Sequence, residues 1–505
     1  MDNPPIEYPT QITSILNQIK RVIPIDRPLY LVGGIVRDII VRRAVRDIDF
    51  VLPDAALDTA RNVANQLNAA FYPLDAERET GRVILTDETG KKWHLDFSTF
   101  RGEDLEADLK ARDFTVNAIA IDTRDPYKLL DPLGGVLDLR YGILRTCSTT
   151  SFADDPIRLI RAVRMATSYD LKILPETLQG MRQVVCDLEK ISFERLRDEL
   201  FRILEDHHAA SCIRLLKMVD GISYILPELD ELQGLEQSPP HIADVWTHTL
   251  DAVNRLEELL AVLDTEYHPD LASNIYTGLV ALRLGRYRTL IAEQLRSELS
   301  EGRSLRALLF FAVLYHDVGK PMTQQTDPSG RIRYLDHDRI GIERVSNRAR
   351  KLHLSNAEID WLNRVVRNHM RPLLLAQSGN HPSRRAIYRF FRDTGEAGVA
   401  VCLIALADVW ATYGPTLPHK LWESQLNIIR ELLDAWWSEP EISVSPPVLL
   451  DGRELISALS IQPGPIVGML LEEIREAQAD GQVQNRDQAL DLARSILVRI
   501  PVDNK

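Results

Sequence analysis

Strand signals fade from this chain at about Asp154, and that switch constrains its fold more than any other feature. Before it, Leu29 to Val32 reads as a short strand, Val36 to Arg43 as a helix and Asp47 to Leu52 as a second strand. Ala55 to Ala69 is an amphipathic helix, and strands at Arg82 to Thr86 and Lys92 to Phe100 flank a Glu88-Thr89-Gly90 turn. After it come helices: Pro156 to Thr167, Phe193 to Glu205, Ala209 to Val219 and nearly everything beyond. Breaks fall at Gln233 to Pro240 and at Glu439 to Pro447, where prolines cluster. At 505 residues the chain is too long for one core. The expectation is an α+β protein with a mixed-sheet head (1–145), a helical neck (146–235), a helical domain (236–415) and a helical tail (416–505).

Bulk composition narrows the class. With 45% apolar and 26% charged residues, the chain can bury cores and is not globally disordered. The apolar run near Leu308 to Tyr315 is far short of the roughly 20 residues that span a bilayer. No secretory signal is visible at Met1-Asp2-Asn3-Pro4-Pro5. Cys147, Cys186, Cys212 and Cys402 form no Cys-x-x-Cys pair, so they read as reduced thiols in a cytoplasmic protein. A net charge of −13 argues against a nonspecific nucleic-acid coat, although a local stripe from Arg37, Arg42, Arg43 and Arg46, or from Arg158, Arg161 and Arg164, could still hold RNA.

The chemistry begins at Asp47-Ile48-Asp49-Phe50. Side chains two apart on a strand share a face, so both carboxylates look into one space while Ile48 and Phe50 face a core. A glycine turn and helix start precede them, Gly33-Gly34-Ile35-Val36-Arg37-Asp38. Glycines let backbone N–H groups approach phosphate, and paired carboxylates hold Mg²⁺, so the pattern suits nucleotidyl transfer with two metal ions. An isolated Asp-x-Asp more often just ends a surface strand; here the turn and the alternation agree with the catalytic reading. Asp96, in Trp93-His94-Leu95-Asp96-Phe97, is either a third carboxylate that activates the primer 3′-hydroxyl or part of a polar strand face.

Three later segments follow: Arg112-Asp113-Phe114-Thr115-Val116-Asn117, Asp131-Pro132-Leu133-Gly134-Gly135, and Asp154-Asp155-Pro156-Ile157-Arg158-Leu159-Ile160-Arg161. Taken singly, each reads as structural. In this order, over roughly the first 230 residues, they resemble the class II CCA-adding and bacterial poly(A) polymerase family of nucleotidyltransferases. The resemblance implies a polymerase-beta-like head, with Asp47 and Asp49 as metal ligands and Gly33, Gly34 and Arg37 holding the leaving pyrophosphate. It implies Asp113 at the nucleotide ribose beside Arg112, and Asp154, Asp155 and Arg158 reading the base, with Arg161 among the nucleotide-binding set. The family's later Glu-Arg helix is matched by Ser192 to Glu199. Its substrates are CTP and ATP, and its acceptor is the tRNA 3′ end. An aspartate and an arginine can pair with the amine and ring nitrogen that C and A share, whereas U and G present carbonyls there. Spaced three apart, Asp155 and Arg158 would share one helix face.

Three departures stand out. Ala111 replaces the first arginine of the ribose motif, and Asp154 a glutamate. Only Arg101 to Ala111 separate Phe100 from Arg112, a shortening similar to CC-adding members, so the expectation is addition of C and/or A with either a bias toward C or another way of admitting ATP. A poly(A) polymerase shares every head motif, so the alternative stays open at this point.

A second constellation spans Thr247-His248, Tyr315-His316-Asp317-Val318-Gly319-Lys320, His337-Asp338, Asn368-His369 and Ala407-Asp408. Buried charge needs a partner or a metal, and imidazole plus carboxylate suits several divalent ions. The series resembles the HD superfamily of metal-dependent phosphohydrolases. That resemblance implies His248, His316, Asp317 and Asp408 as core ligands of a divalent metal, with His337 and His369 belonging to a second. The alternatives are a vestigial His-Asp pair, or a phosphohydrolase whose head serves only RNA binding.

Overall fold

A computed structural model describes residues 8–45, 47–75, 79–88, 90–125, 128–266, 268–377 and 381–499. Arg46 and Thr89, both singled out above, lie outside the described residues. The chain divides into two compact units, residues 1–192 with 215–224 and residues 193–214 with 225–505.

The first unit is built on a seven-stranded sheet in the order β3-β4-β5-β2-β1-β6-β7. Its strands are β1 (Tyr30–Val32), β2 (Asp47–Leu52), β3 (Ala70–Asp75), β4 (Thr80–Thr86), β5 (Lys92–Thr99), β6 (Ala120–Asp122) and β7 (Leu129–Leu130). Within this sheet, among the described residues, only β2 and β5 pair in parallel, which puts Asp49 opposite Asp96 and Asp47 opposite His94. The sequence patterning missed β3, where Pro73 interrupts the run. An edge strand tolerates that proline because one of its sides makes no ladder bonds. It also missed α1 (Thr10–Val22), whose Ile12, Ile15, Leu16 and Ile19 recur at helical spacing and are buried. Together with Ala56, Ala60 and Val63 of α3 (Ala56–Leu67), they form the core over Ile48, Phe50, Leu95 and Phe97. The Phe50 and Phe97 rings stack at 4.8 Å.

On the opposite face, the one bearing the carboxylates, a smaller cluster joins Val32, Val51, Ala118 and Ala120 to Leu105 and Leu109 of α4 (Leu105–Lys110). A helix therefore occupies part of the short connection after Phe100. Between β1 and β2, α2 (Gly34–Ile40) is shorter than the patterning predicts, and Arg42 adopts a positive φ beyond its end.

The second unit is helical but not wholly so. Two small hairpins, Glu298–Ser300 with Arg303–Ser304 and Gln324–Thr326 with Ile332–Tyr334, correct the all-helical expectation. The apolar helix Leu305–Tyr315 is buried along its length. Leu308 to Tyr315 is not the dominant apolar stretch, however. Arg384–Thr416 is long and apolar enough to cross a membrane by length and composition, yet 94% of its most apolar window is buried inside this unit. The last helices, Gly452–Leu459, Pro465–Ala479 and Arg486–Arg499, close on their own cluster around Leu455, Leu470 and Ile474.

Candidate active site

Gly33 makes the first site possible. It takes a φ of +73°, which places the N-terminus of α2 against the end of β1. A Cβ on it would stand 3.2 Å from both Arg112 Nη1 and Asp49 Oδ2. The glycine turn, one metal-type carboxylate and one arginine therefore meet at a single point. Beside it Asp47 is exposed, with its Oδ1 3.3 Å from His94 Nδ1. Burial, then the neighbouring charge of Asp96, pushes the Asp49 carboxyl up to about 6, with Asp47 adding to the rise and Arg112 opposing it. A divalent cation would relieve that repulsion, and three carboxylates on adjacent parallel strands are hard-oxygen donors suited to Mg²⁺. Asp96 is engaged from the far side: Arg82 Nε and Nη2 donate to its two oxygens at 2.8 Å each.

Several residues assigned by resemblance are already bonded within the fold. Arg37 is buried, and its guanidinium donates to Asp38, to Asn117 Oδ1 at 2.6 Å and to the Tyr169 hydroxyl at 2.5 Å. Its donors are taken by protein, and these bonds brace α2. Arg37 and Arg43 also lie over the Tyr169 ring, at 4.1 and 4.4 Å. Asp113 is likewise committed. Its oxygens accept from Phe114 N, Asn117 Nδ2 and Arg161 Nε and Nη2. Burial alone would raise its pKa, but Arg161 and these hydrogen bonds hold it down at about 2. Asp113 is thus a buried hydrogen-bonding hub, with Arg161 as its ion-pair partner.

Asp155 does not share a helix with Arg158. It lies in extended backbone between α6 (Ser151–Asp154) and α7 (Arg158–Ser168). α5 (Gly135–Tyr141) precedes both, and its Gly135 N–H donates to Asp131, so that turn is structural. The Arg158 guanidinium donates to the carbonyls of Ala111 and Arg112 and to Ser151 Oγ, while Asp154 accepts from Thr150. Sequence reasoning passed over Arg82, His94 and Asp108. Strand alternation would have found His94, two residues from Asp96, and helical spacing would have found Asp108, four before Arg112.

The second unit gathers the other constellation. His248, His316 and Asp408 place ligand atoms within 4.8 Å of one another, and so do Asp317, His337 and His369. Asp317 stands between the two trios, with Oδ2 3.1 Å from His316 Nε2 and Oδ1 3.4 Å from His337 Nε2. Gly319 permits this approach, because a Cβ there would meet the His337 carbonyl oxygen at 2.1 Å. The Nδ1 atoms of His316, His337 and His369 each sit 2.7–2.8 Å from a carbonyl three residues back. That contact fixes the proton on Nδ1 and aims the Nε2 lone pair inward. Lone pairs then face carboxylate oxygens, and the His337 and His369 Nε2 atoms face each other at 3.4 Å. Such a cluster needs positive charge at its centre, and its imidazole–carboxylate donor set fits a divalent metal. Part of that charge comes from Lys320, buried with its Nζ 2.6 Å from Asp317 Oδ2. His241 also borders the cluster, its ring 5.2 Å from that of His248, and burial pushes its pKa down to about 4.

With both geometries established, comparison with known proteins assigns the chain. Residues 29–145 match the Poly A polymerase head domain, 170–233 an RNA and SrmB binding site of polymerase A, and 421–493 tRNA nucleotidyltransferase domain 2. The chain is 34% identical to the A-adding tRNA nucleotidyltransferase of Deinococcus radiodurans over 467 residues, covering 91% of this chain and 93% of that one. It belongs to the tRNA nucleotidyltransferase family. The CC-adding tRNA nucleotidyltransferase of Geobacter sulfurreducens is 30% identical over 91% of this chain and 90% of its own. In fold, the chain is similar to a CCA-adding enzyme solved with ATP, with a TM-score of 0.61 and 21% identity, covering 97% of this chain and 96% of that chain. Family membership makes this chain an enzyme of the nucleotidyltransferase class, one that depends on a divalent metal. The matched descriptions stop at residue 233 and resume at 421, so the histidine cluster rests on its own geometry.

Proposed function

We propose that the chain adds C to the tRNA 3′ end, with Asp47 and Asp49 as the Mg²⁺ ligands and Asp96 completing the carboxylate row. Bound there, Mg²⁺ would supply Lewis-acid stabilisation of the attacking and leaving oxygens. The residues do the rest. The Gly33 turn leaves room for phosphate, Arg112 Nη1 offers it a cation beside Asp49, and Arg82 holds Asp96 in place. The RNA 3′-hydroxyl attacks the α-phosphate of CTP and gives up its proton to solvent; the new P–O bond forms as the bond from the α-phosphorus to the bridging oxygen breaks, and pyrophosphate leaves with that electron pair.

The observation behind the C preference is the connection from Arg101 to Ala111, which is partly folded as α4 and spans only eleven residues. Single-nucleotide extension of tRNA ending before, after one and after two C residues, with CTP and ATP tested separately, decides the matter. One or two C additions with little A support the reading. Efficient A addition to a CC end overturns it, and a ladder of A on any RNA makes the enzyme a poly(A) polymerase.

A second activity has its own support in the inward-facing imidazole nitrogens around Asp317. On this reading residues 236–415 are an HD-type phosphohydrolase domain. His248, His316, Asp317 and Asp408, with His337 and His369, hold two divalent metals, and the substrates are phosphomonoesters or cyclic phosphodiesters. The division into head, neck, HD domain and tail at about 145, 235 and 415 belongs to the same reading.

A further inference from the structure

The Arg101–Ala111 connection carries one buried charge that no ligand explains. Asp108 is fully buried. Its Oδ2 accepts from Arg112 Nε at 3.0 Å and from Nη2 at 2.9 Å, while its Oδ1 accepts from the Arg101 backbone N–H at 3.1 Å. One carboxylate therefore ties the first residue of the connection to the residue just past its end. The packing leaves no slack. A Cβ at Gly102 would come within 2.6 Å of the Ala107 Cβ, and Leu105 and Leu109 pack against Val32 and Val51 on the carboxylate face of the sheet. Two functional groups hang from this staple. With Nε and Nη2 held by Asp108, Arg112 is left to aim Nη1 at the Gly33 turn and Asp49. The carbonyls of Ala111 and Arg112, at the end of the same segment, accept from Arg158.

We infer that Asp108 is a positioning residue for nucleotide binding, holding Arg112 over the phosphate site and presenting to Arg158 the carbonyls that fix its guanidinium. A charge-assisted bond from one carboxylate oxygen to two arginine donors fixes the guanidinium plane, which an uncharged partner would not do as firmly. The inference rests on the proposed reading of the head as a nucleotide site, and the test separates the two.

In the full-length enzyme, Asp108→Asn keeps the side-chain shape and the acceptor for Arg101 but sets an amide against the Arg112 donors. The expected result is a KM for CTP about tenfold higher with a smaller change in kcat, and a lower ratio of C to A incorporation. In an Arg112→Ala background the same substitution should raise KM no further, since the residue it positions is gone. An unchanged KM, or an equal rise with and without Arg112, overturns the positioning role. If Arg112→Ala alone leaves KM for CTP unaltered, the nucleotide-site reading of Arg112 fails instead. Should Asp108→Asn not fold, Gly102→Ala displaces α4 without touching a charge. A folded Gly102→Ala enzyme with normal KM and normal C-to-A ratio also overturns the inference.

Discussion

Gly33 concentrates the residue-scale argument, because one atom's absence keeps Arg112 and Asp49 at their present separation. Gly33→Ala meets two penalties together: a positive φ that L side chains rarely adopt, and contacts of 3.2 Å with two charged groups that cannot both retreat. The expected cost is about 1–3 kcal/mol of stability by thermal or urea unfolding. Nucleotidyl transfer should fall by at least tenfold, because the phosphate site is distorted even in molecules that stay folded. A variant with wild-type kinetics would remove Gly33 from the site. Residues of this kind were legible in the sequence, since a Gly-Gly turn before an alternating Asp-x-Asp has few other uses. The protein partners of Arg37 and Asp113 were not. A motif gives residue type and order, whereas donor and acceptor saturation depends on partners 48 to 132 positions away, such as Arg161 and Tyr169.

At the scale of elements, the helix Val245–Val262 shows how a site and its support can conflict. It carries His248 at its start, and three turns on Glu257 points at α-helical backbone, accepting the Ala210 N–H at 2.8 Å. Burial pushes Glu257 up to about 7, against the pull of that N–H and of Arg306 and Arg214, with Asp206 adding to the rise. Its folded pKa is above its ordinary value, so the fold favours the protonated acid. That contribution is complete below about pH 4.5 and is lost as pH rises through 7. Glu257→Gln removes the ionisation and keeps the acceptor. Its stability should match the parent's at pH 4 and exceed it at pH 8 by roughly 1–2 kcal/mol after allowing for solvent screening, read as a higher melting temperature at pH 8 only. Equal melting temperatures at pH 8 would show that Glu257 ionises without cost.

Elements were the most legible level in the strands and the least in the connections. Alternation marks β4, β5 and the first half of β2 because buried positions there alternate with more open ones, whereas Phe50 to Leu52 bury both faces of β2. α4 is only six residues long and is set by an Asp104 cap and the Asp108 staple rather than by a periodic apolar face. Short helices of that kind leave almost no periodic signal to read.

For the molecule as a whole, two metal-type clusters lie in two separate compact units: Asp47 and Asp49 in one, and the His248–Asp408 and Asp317–His369 trios in the other. Each cluster draws its ligands from within its own unit, so neither needs the other to be assembled. Two single variants should then separate the activities. Asp47→Ala should lose nucleotidyl transfer by at least a hundredfold and retain any hydrolysis of bis(p-nitrophenyl) phosphate or 2′,3′-cyclic AMP. Asp317→Ala removes the carboxylate of one trio that also faces His316 of the other, and leaves Lys320 buried without its ion-pair partner, so it should lose hydrolysis and bound metal and melt lower. His316→Gln, which keeps the Lys320–Asp317 pair, controls for that destabilisation and should lose metal while melting close to the parent. Metal content by elemental analysis reads the second site without relying on a guessed substrate. A parent enzyme that binds no divalent metal beyond the head's own, or an Asp317→Ala variant that binds as much as the parent, would reduce the histidine cluster to a protonated core. The inward lone pairs of His316, His337 and His369 would then be balanced by Lys320 and a bound proton alone.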